Sequence, residues 1–155
     1  MIEMATDMEI AASDVSQALL DITGAALMSG DFDAFASAFH VPQHMATMAG
    51  PVFMETTEDM RRAIDEMHNH IKGIGATDLV RKCVVAEYKT PSRIEATHTS
   101  EILKDGKRLS GTYPGFSVLE KIDGNWKVTA SEYALEANDG KALAIAAADV
   151  KHRGT

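Results

Sequence analysis

His98, Tyr113 and Glu132 supply an imidazole, a phenol and a carboxylate, side-chain types that can move a proton near neutral pH. Burial raises a glutamate pKa and histidine already titrates in that range, so the set is chemically capable if it converges. A two-residue Asp105-Gly106 turn pairs Ile102 with Leu109 and His98 with Tyr113, putting both pairs on one face with Ile94, Ala96 and Ser100. Glu132 is in phase with Trp126, Val128 and Ala130, which places it on the same concave side. His98 and Glu132 are therefore the candidates for proton transfer, and Tyr113, Trp126, Phe116, Ser100, His44 and Tyr88 the candidates for contact with a ligand. The spacing is no catalytic signature, and a satisfied polar cluster inside a core accounts for the same residues.

Other arrangements lead away from chemistry. His40 and His44 have the four-residue spacing of a helical zinc pair, but Pro42 between them breaks the helix that spacing needs, and no cysteine or acid completes a set. No metal is expected, and His44 is assigned to the cavity mouth. In "MHNH", His68 shares the Ile64 and Ile71 side of a helix while His70 points elsewhere. Cys83 is alone, so no intrachain disulfide can form, and its apolar setting reads as an inert buried thiol. Gly-rich phosphate loops, nucleophile elbows and Cys-His arrangements are missing, and no cofactor is expected. The methionines fit a core at helical spacing, although a flexible thioether also suits an adaptable pocket.

The elements that must position these residues follow from periodicity. Val15, Ala18, Leu19, Ile22 and Ala26 form a helical stripe opened by Ser13 and ended by Gly30. Asp31 caps a second helix bearing Phe32, Phe35 and Phe39, which ends before Pro42. "HMATMAGPVFMET" predicts two short strands or a strand and a loop. Thr56 and Asp59 suggest a capping box for a third helix with Met60, Ile64, Met67 and Ile71 on one side. From Asp78 onward, Val, Ile, Thr and Tyr with turns at "TPSR", "KDGK" and "IDGN" predict an antiparallel meander. On its first strand a Pro91-Ser92 turn sends Cys83, Val85 and Glu87 inward, whereas hydrophobicity selects Val84, Ala86 and Tyr88; both directions stay open. A bulge at Pro114-Gly115 would let Tyr113 and Phe116 both face inward and would curl the sheet. A three-residue Ile122-Gly124 loop pairs Trp126 with Glu120 and Val128 with Val118, setting Phe116, Val118, Trp126, Val128 and Ala130 on the concave face. Ser117, Lys127, Thr129 and Leu119 then face outward.

With 155 residues, 45% hydrophobic and 25% charged, the chain fits one domain with one core. A formal charge of −8 and scattered basic residues exclude a phosphate-binding stripe, so nucleic acid is not an expected partner. No apolar run is long enough to span a membrane, and the acidic N-terminus is unlike a secretory signal, which predicts a cytoplasmic protein with no membrane partner. Residues 1–12 read as an extension, 13–137 as the domain and 138–155 as an Ala-rich tail.

The order of elements over residues 13–137, ending in the hairpin "DGNWKV" and including "GDFDAFASAFHVP" after the first helix, resembles the nuclear transport factor 2-like superfamily and its SnoaL-like branch. The resemblance implies an α+β, cystatin-like barrel: a cone-shaped, curled antiparallel sheet of about six strands packed on three helices from the N-terminal half. It also implies a cavity at the open end, a homodimer, and a function as a binding module for a small apolar or amphipathic molecule. Isomerase, cyclase or dehydratase chemistry through His98 or Glu132 is the alternative, and a dimeric scaffold with a filled cone is another. Steroid-isomerase-like members use a cavity aspartate, but Asp105 and Asp123 are turn residues here, and fold alone does not select among these functions.

Overall fold

A computed structural model describes residues 10–152. Helix α1 (Ala12–Ser29) begins after Ala11 with no side-chain cap, rather than at Ser13, and ends at Gly30, whose φ of 75° lets its N–H reach Ala26 O. Asp31 caps α2 (Phe32–Ala38) by accepting from Ala34 N–H at 3.1 Å. Pro42 lies within strand β1 (Phe39–Thr47), which pairs antiparallel with β2 (Gly50–Met54). Helix α3 (Thr57–Gly73) opens with the expected Thr56–Asp59 capping box. The meander follows as β3 (Asp78–Thr90), β4 (Arg93–Lys104), a short β5 (Lys107–Arg108), β6 (Tyr113–Ile122) and β7 (Asn125–Tyr133). The tail folds back as α4 (Gly140–Ala146) and a final turn of 3-10 helix, Val150–His152.

The sheet has seven strands in the order β2-β1-β7-β6-β4-β3, with β5 on β4. It curls without closing, and β1 runs parallel to β7, so the sheet is mixed rather than purely antiparallel. The ladder between β1 and β7 breaks between Phe39 and His44. Buried Gln43 fills the break, donating to His40 O and Val128 O and accepting from Ser131. Leu19, Phe35, Phe39, Met54, Ile64 and Leu119 pack between the helices and the concave face.

Bulges set the register. Asp123 and Gly124, at φ 51° and 82°, form a two-residue turn that pairs Lys121 with Trp126, so the three-residue loop expected from sequence does not occur. The extra residue sits in mid-strand instead: Leu119 pairs with Val128 and Val118 with Ala130, leaving Thr129 bulged. Each residue of β7 after the bulge changes face. Ser131 becomes buried and Tyr133 packs on the core, while Glu132 is exposed. No shift interrupts β4 and β6 from Arg93–Glu120 to Ser100–Tyr113, so no bulge forms at Pro114-Gly115. Phe116 therefore lies on the face opposite Tyr113, and Ser117 and Leu119 point inward.

The Asp105-Gly106 turn forms as expected, with Leu109 N–H donating to Ile102 O at 2.8 Å. The chain then leaves the ladder and returns at Tyr113 opposite Ser100, so His98 pairs with Gly115 rather than Tyr113. A two-residue displacement preserves the face, and His98, Ser100 and Tyr113 still share the concave side. On β3 a shift between Cys83 and Val85 makes each sequence alternative true in part. Leu79 and Arg81 face inward before it, and Ala86 and Tyr88 after it.

Helix α4 is docked, with Ala142, Ala144 and Ile145 buried, as is Ala148 in the turn that follows. Arg62 of α3 holds its end, donating to Ala147 O at 2.9 Å while pairing with fully buried Asp59 at 2.7 Å.

Candidate functional site

Between the sheet and helices α1 and α3 lies a cavity of about 80 Å³. One water needs roughly 10–15 Å³ measured this way, so there is room for more than a single solvent molecule. Its walls are apolar, built from residues such as Leu19 and Leu20 of α1, Ile64 and Met67 of α3, and Leu119 and Val128 of the sheet. Leu135 and Ile145 from the C-terminal segment complete it.

A polar cluster at one end centres on Arg81. Alternation with Leu79 on β3 points it inward, although its neighbour Lys82 is exposed. Its Nη1 donates to Thr23 Oγ1 at 2.6 Å, and Thr23 in turn donates to Leu19 O at 2.8 Å. Its Nη2 donates to Tyr133 Oη at 3.2 Å and lies 3.3 Å from His98 Nε2, while Nε reaches Ser100 Oγ at 3.4 Å. A guanidinium has only donors, so Nε2 of His98 must accept and its ring proton is assigned to Nδ1.

His98 is 1% exposed. Burial, reinforced by the Arg81 charge, drives its pKa down to about 3, so the imidazole is neutral at pH 7 and a weak base. Burial pushes the Tyr113 phenol up to about 12 against the opposing pull of Arg81, which keeps the hydroxyl protonated. Tyr133 joins these groups, its ring 5.6 Å from His98 and 6.4 Å from Tyr113. Gly115 makes the arrangement possible, because a Cβ there would meet His98 Nε2 at 2.7 Å and Tyr133 Cε1 at 2.8 Å.

The structure thus brings together His98, Ser100 and Tyr113 from the sequence candidates. Glu132 and Phe116 line a shallow groove on the other face with Thr97 and Met48. The cause is the Thr129 bulge for Glu132 and the unbroken β4–β6 ladder for Phe116. His44 is exposed and stacks on Phe53 at 4.6 Å, because its neighbour Met45 takes the inward direction. Trp126 packs on the core away from the polar cluster, edge-on to Tyr88 at 6.1 Å, and Tyr88 donates to Ile10 O. Sequence reasoning missed Arg81, Thr23 and Tyr133. An arginine in phase with Leu79 was the available signal for the first; Thr23 looked like an ordinary polar helix residue, and Tyr133 depended on an invisible bulge.

Among the described residues no group of three or more His, Cys, Asp or Glu is placed to hold a metal ion, and no helix is long and apolar enough to cross a membrane.

No protein-family model matches the chain, and no curated protein does. Solved structures do. A nuclear transport factor 2-like protein of unknown function from Shewanella oneidensis superposes with a TM-score of 0.64 at 16% identity, over 81% of this chain and 100% of that one. A nuclear transport factor 2-like protein with a cystatin-like fold from Novosphingobium aromaticivorans gives 0.62 at 16% identity, over 86% and 88%. A hexachlorocyclohexane dehydrochlorinase from Novosphingobium barchaimii gives 0.58 at 14% identity, over 83% and 88%. The chain has the nuclear transport factor 2-like, cystatin-like α+β fold.

Proposed function

We propose that the chain is a cytoplasmic, homodimeric binding domain that takes a small, largely apolar molecule into its cone. The apolar cavity with one convergent polar end carries this reading, since such concave sites with a few placed polar groups are the usual form of a ligand pocket. The SnoaL-like resemblance of "GDFDAFASAFHVP" and "DGNWKV" is consistent with it.

Proton-transfer chemistry has less support. Glu132 is exposed on the far face, and His98, with a pKa near 3, is a poor general base at neutral pH. The dehydrochlorinase similarity lends that reading only the fold. A filled scaffold cone fits the open volume poorly.

Thermal unfolding with neutral apolar probes such as naphthalene, indole and camphor tests the proposal. A bound probe at a hundred times its dissociation constant adds about 2.7 kcal/mol, or roughly 5–10 °C for a chain of this size. Ala63→Phe, which projects a ring from the cavity wall, should abolish the shift. Absence of any shift, with Ala63→Phe clearly less stable than the parent because its ring finds no room, would favour a plugged cone.

A further inference from the structure

Among the arginines of the described residues, Arg61 pairs with Glu58, Arg62 with Asp59, Arg93 with Glu95 and Glu120, and Arg108 with Glu101. Arg81 is the exception: among the described residues no carboxylate lies within ion-pair distance of it, in a chain of net charge −8. The other cation near the polar end, Lys141, is buried with Asp139 at 3.0 Å and sits 5.1 Å from the centre of the Tyr113 ring, so its charge is already met.

Arg81 is half-buried, and a guanidinium with apolar walls against part of its surface is stabilised when an anion meets it there. Its acceptors here, Thr23, His98, Ser100 and Tyr133, are all neutral. Those contacts occupy the Nε hydrogen, both on Nη2 and one on Nη1, leaving the second Nη1 hydrogen to donate. Tyr133 accepts from Arg81 and retains its own hydrogen for a further acceptor. The site is therefore rich in donors and holds one positive charge with no carboxylate partner among the described residues, backed by walls that are mainly apolar, with Ser16 and Ser117 among them.

We infer that the cone takes an amphipathic monocarboxylate, its carboxylate paired with Arg81 and its body packed among residues such as Leu19, Met67 and Leu119. This rests on the small-molecule reading above and adds the head group. A single unpaired cation matches a single negative charge, and the apolar walls disfavour a dianion such as a phosphate monoester. His98 stays neutral beside Arg81 and does not compete for the anion.

Calorimetric titration of the full chain at neutral pH with naphthoate, naphthamide, octanoate and octanamide tests the assignment. Each acid should bind the wild type at least about tenfold tighter than its amide, the difference expected for a charge-assisted contact. Arg81→Gln should erase that preference while leaving amide affinity nearly unchanged, and Arg81→Lys should keep part of it. The aromatic and aliphatic pairs separate the two sources of acid, and a preference within either supports the head-group assignment. Equal binding of acid and amide to the wild type overturns it while leaving the small-molecule reading intact. A preference that survives in Arg81→Gln overturns it as well, and failure of all four probes to bind overturns both. The wild-type comparison stands by itself should Arg81→Gln fold poorly.

Discussion

Lowering the pH from 7 to 5 should destabilise the fold through His98 in particular. In the unfolded chain this imidazole titrates near 6.5, whereas in the folded state burial and then Arg81 hold it near 3. The unfolded state therefore binds more protons between those values, and stability must rise with pH across that window. The contribution is complete well above pH 6.5 and is lost progressively as pH falls toward 3. Integrating proton binding from pH 7 to 5 gives a loss of about 1.9 kcal/mol from this residue. The figure hardly depends on the folded value, because any folded pKa well below 5 leaves His98 neutral in the native state. It corresponds to a fall of roughly 4–8 °C in Tm for a chain of this length. Urea unfolding followed by fluorescence of Trp126, the one tryptophan, is the assay. Measuring wild type and His98→Gln at both pH values cancels the other histidines and the carboxylates, leaving a difference that should shrink by about 1.9 kcal/mol at pH 5. A difference independent of pH would mean that His98 is not held neutral against Arg81, and the description of the polar cluster would fail.

Gly115→Ala should cost about 1–3 kcal/mol in chemical denaturation, since the new methyl meets the enclosed His98 ring and the Tyr133 edge; an unchanged midpoint would argue against the close packing of those rings. Asp59→Ala removes the acceptor for Glu55 N–H, Thr56 N–H and Arg62, so a loss of about 3 kcal/mol is expected together with faster amide exchange in α4, and retained protection there would deny the Arg62 clamp. Glu132→Gln should leave stability within about 0.5 kcal/mol and leave ligand binding intact; loss of binding would return Glu132 to the site. Sedimentation at micromolar concentration should report a homodimer, for which the exposed Val84 and Val85 on edge strand β3 offer apolar contact, and a 16.7 kDa species alone would remove that expectation.

The capping box at Thr56, the left-handed stop at Gly30, the meander of Asp-Gly hairpins and the inward set Ile94, Ala96, His98 and Ser100 are all written locally. Each depends on neighbours within one helical turn or on strict alternation, which a chain carries regardless of its fold. His98 and Tyr113 shared a face even though their pairing was off by two residues, because an even slip leaves alternation unchanged. What the sequence could not contain is where curvature is absorbed. The bulges at Thr129 and between Cys83 and Val85 arise as the sheet bends around the helices, and a single added residue reverses every side chain beyond it. That reversal carried Glu132 outward and Tyr133 inward. It also fixed the neighbourhood of Arg81, which alternation alone could place beside Leu79 but could not surround with Thr23 from a helix and His98 and Tyr133 from two other strands. A charge on a strand reads as solvated until tertiary packing sets apolar walls around it, and for Arg81 that decision belongs to the assembled cone.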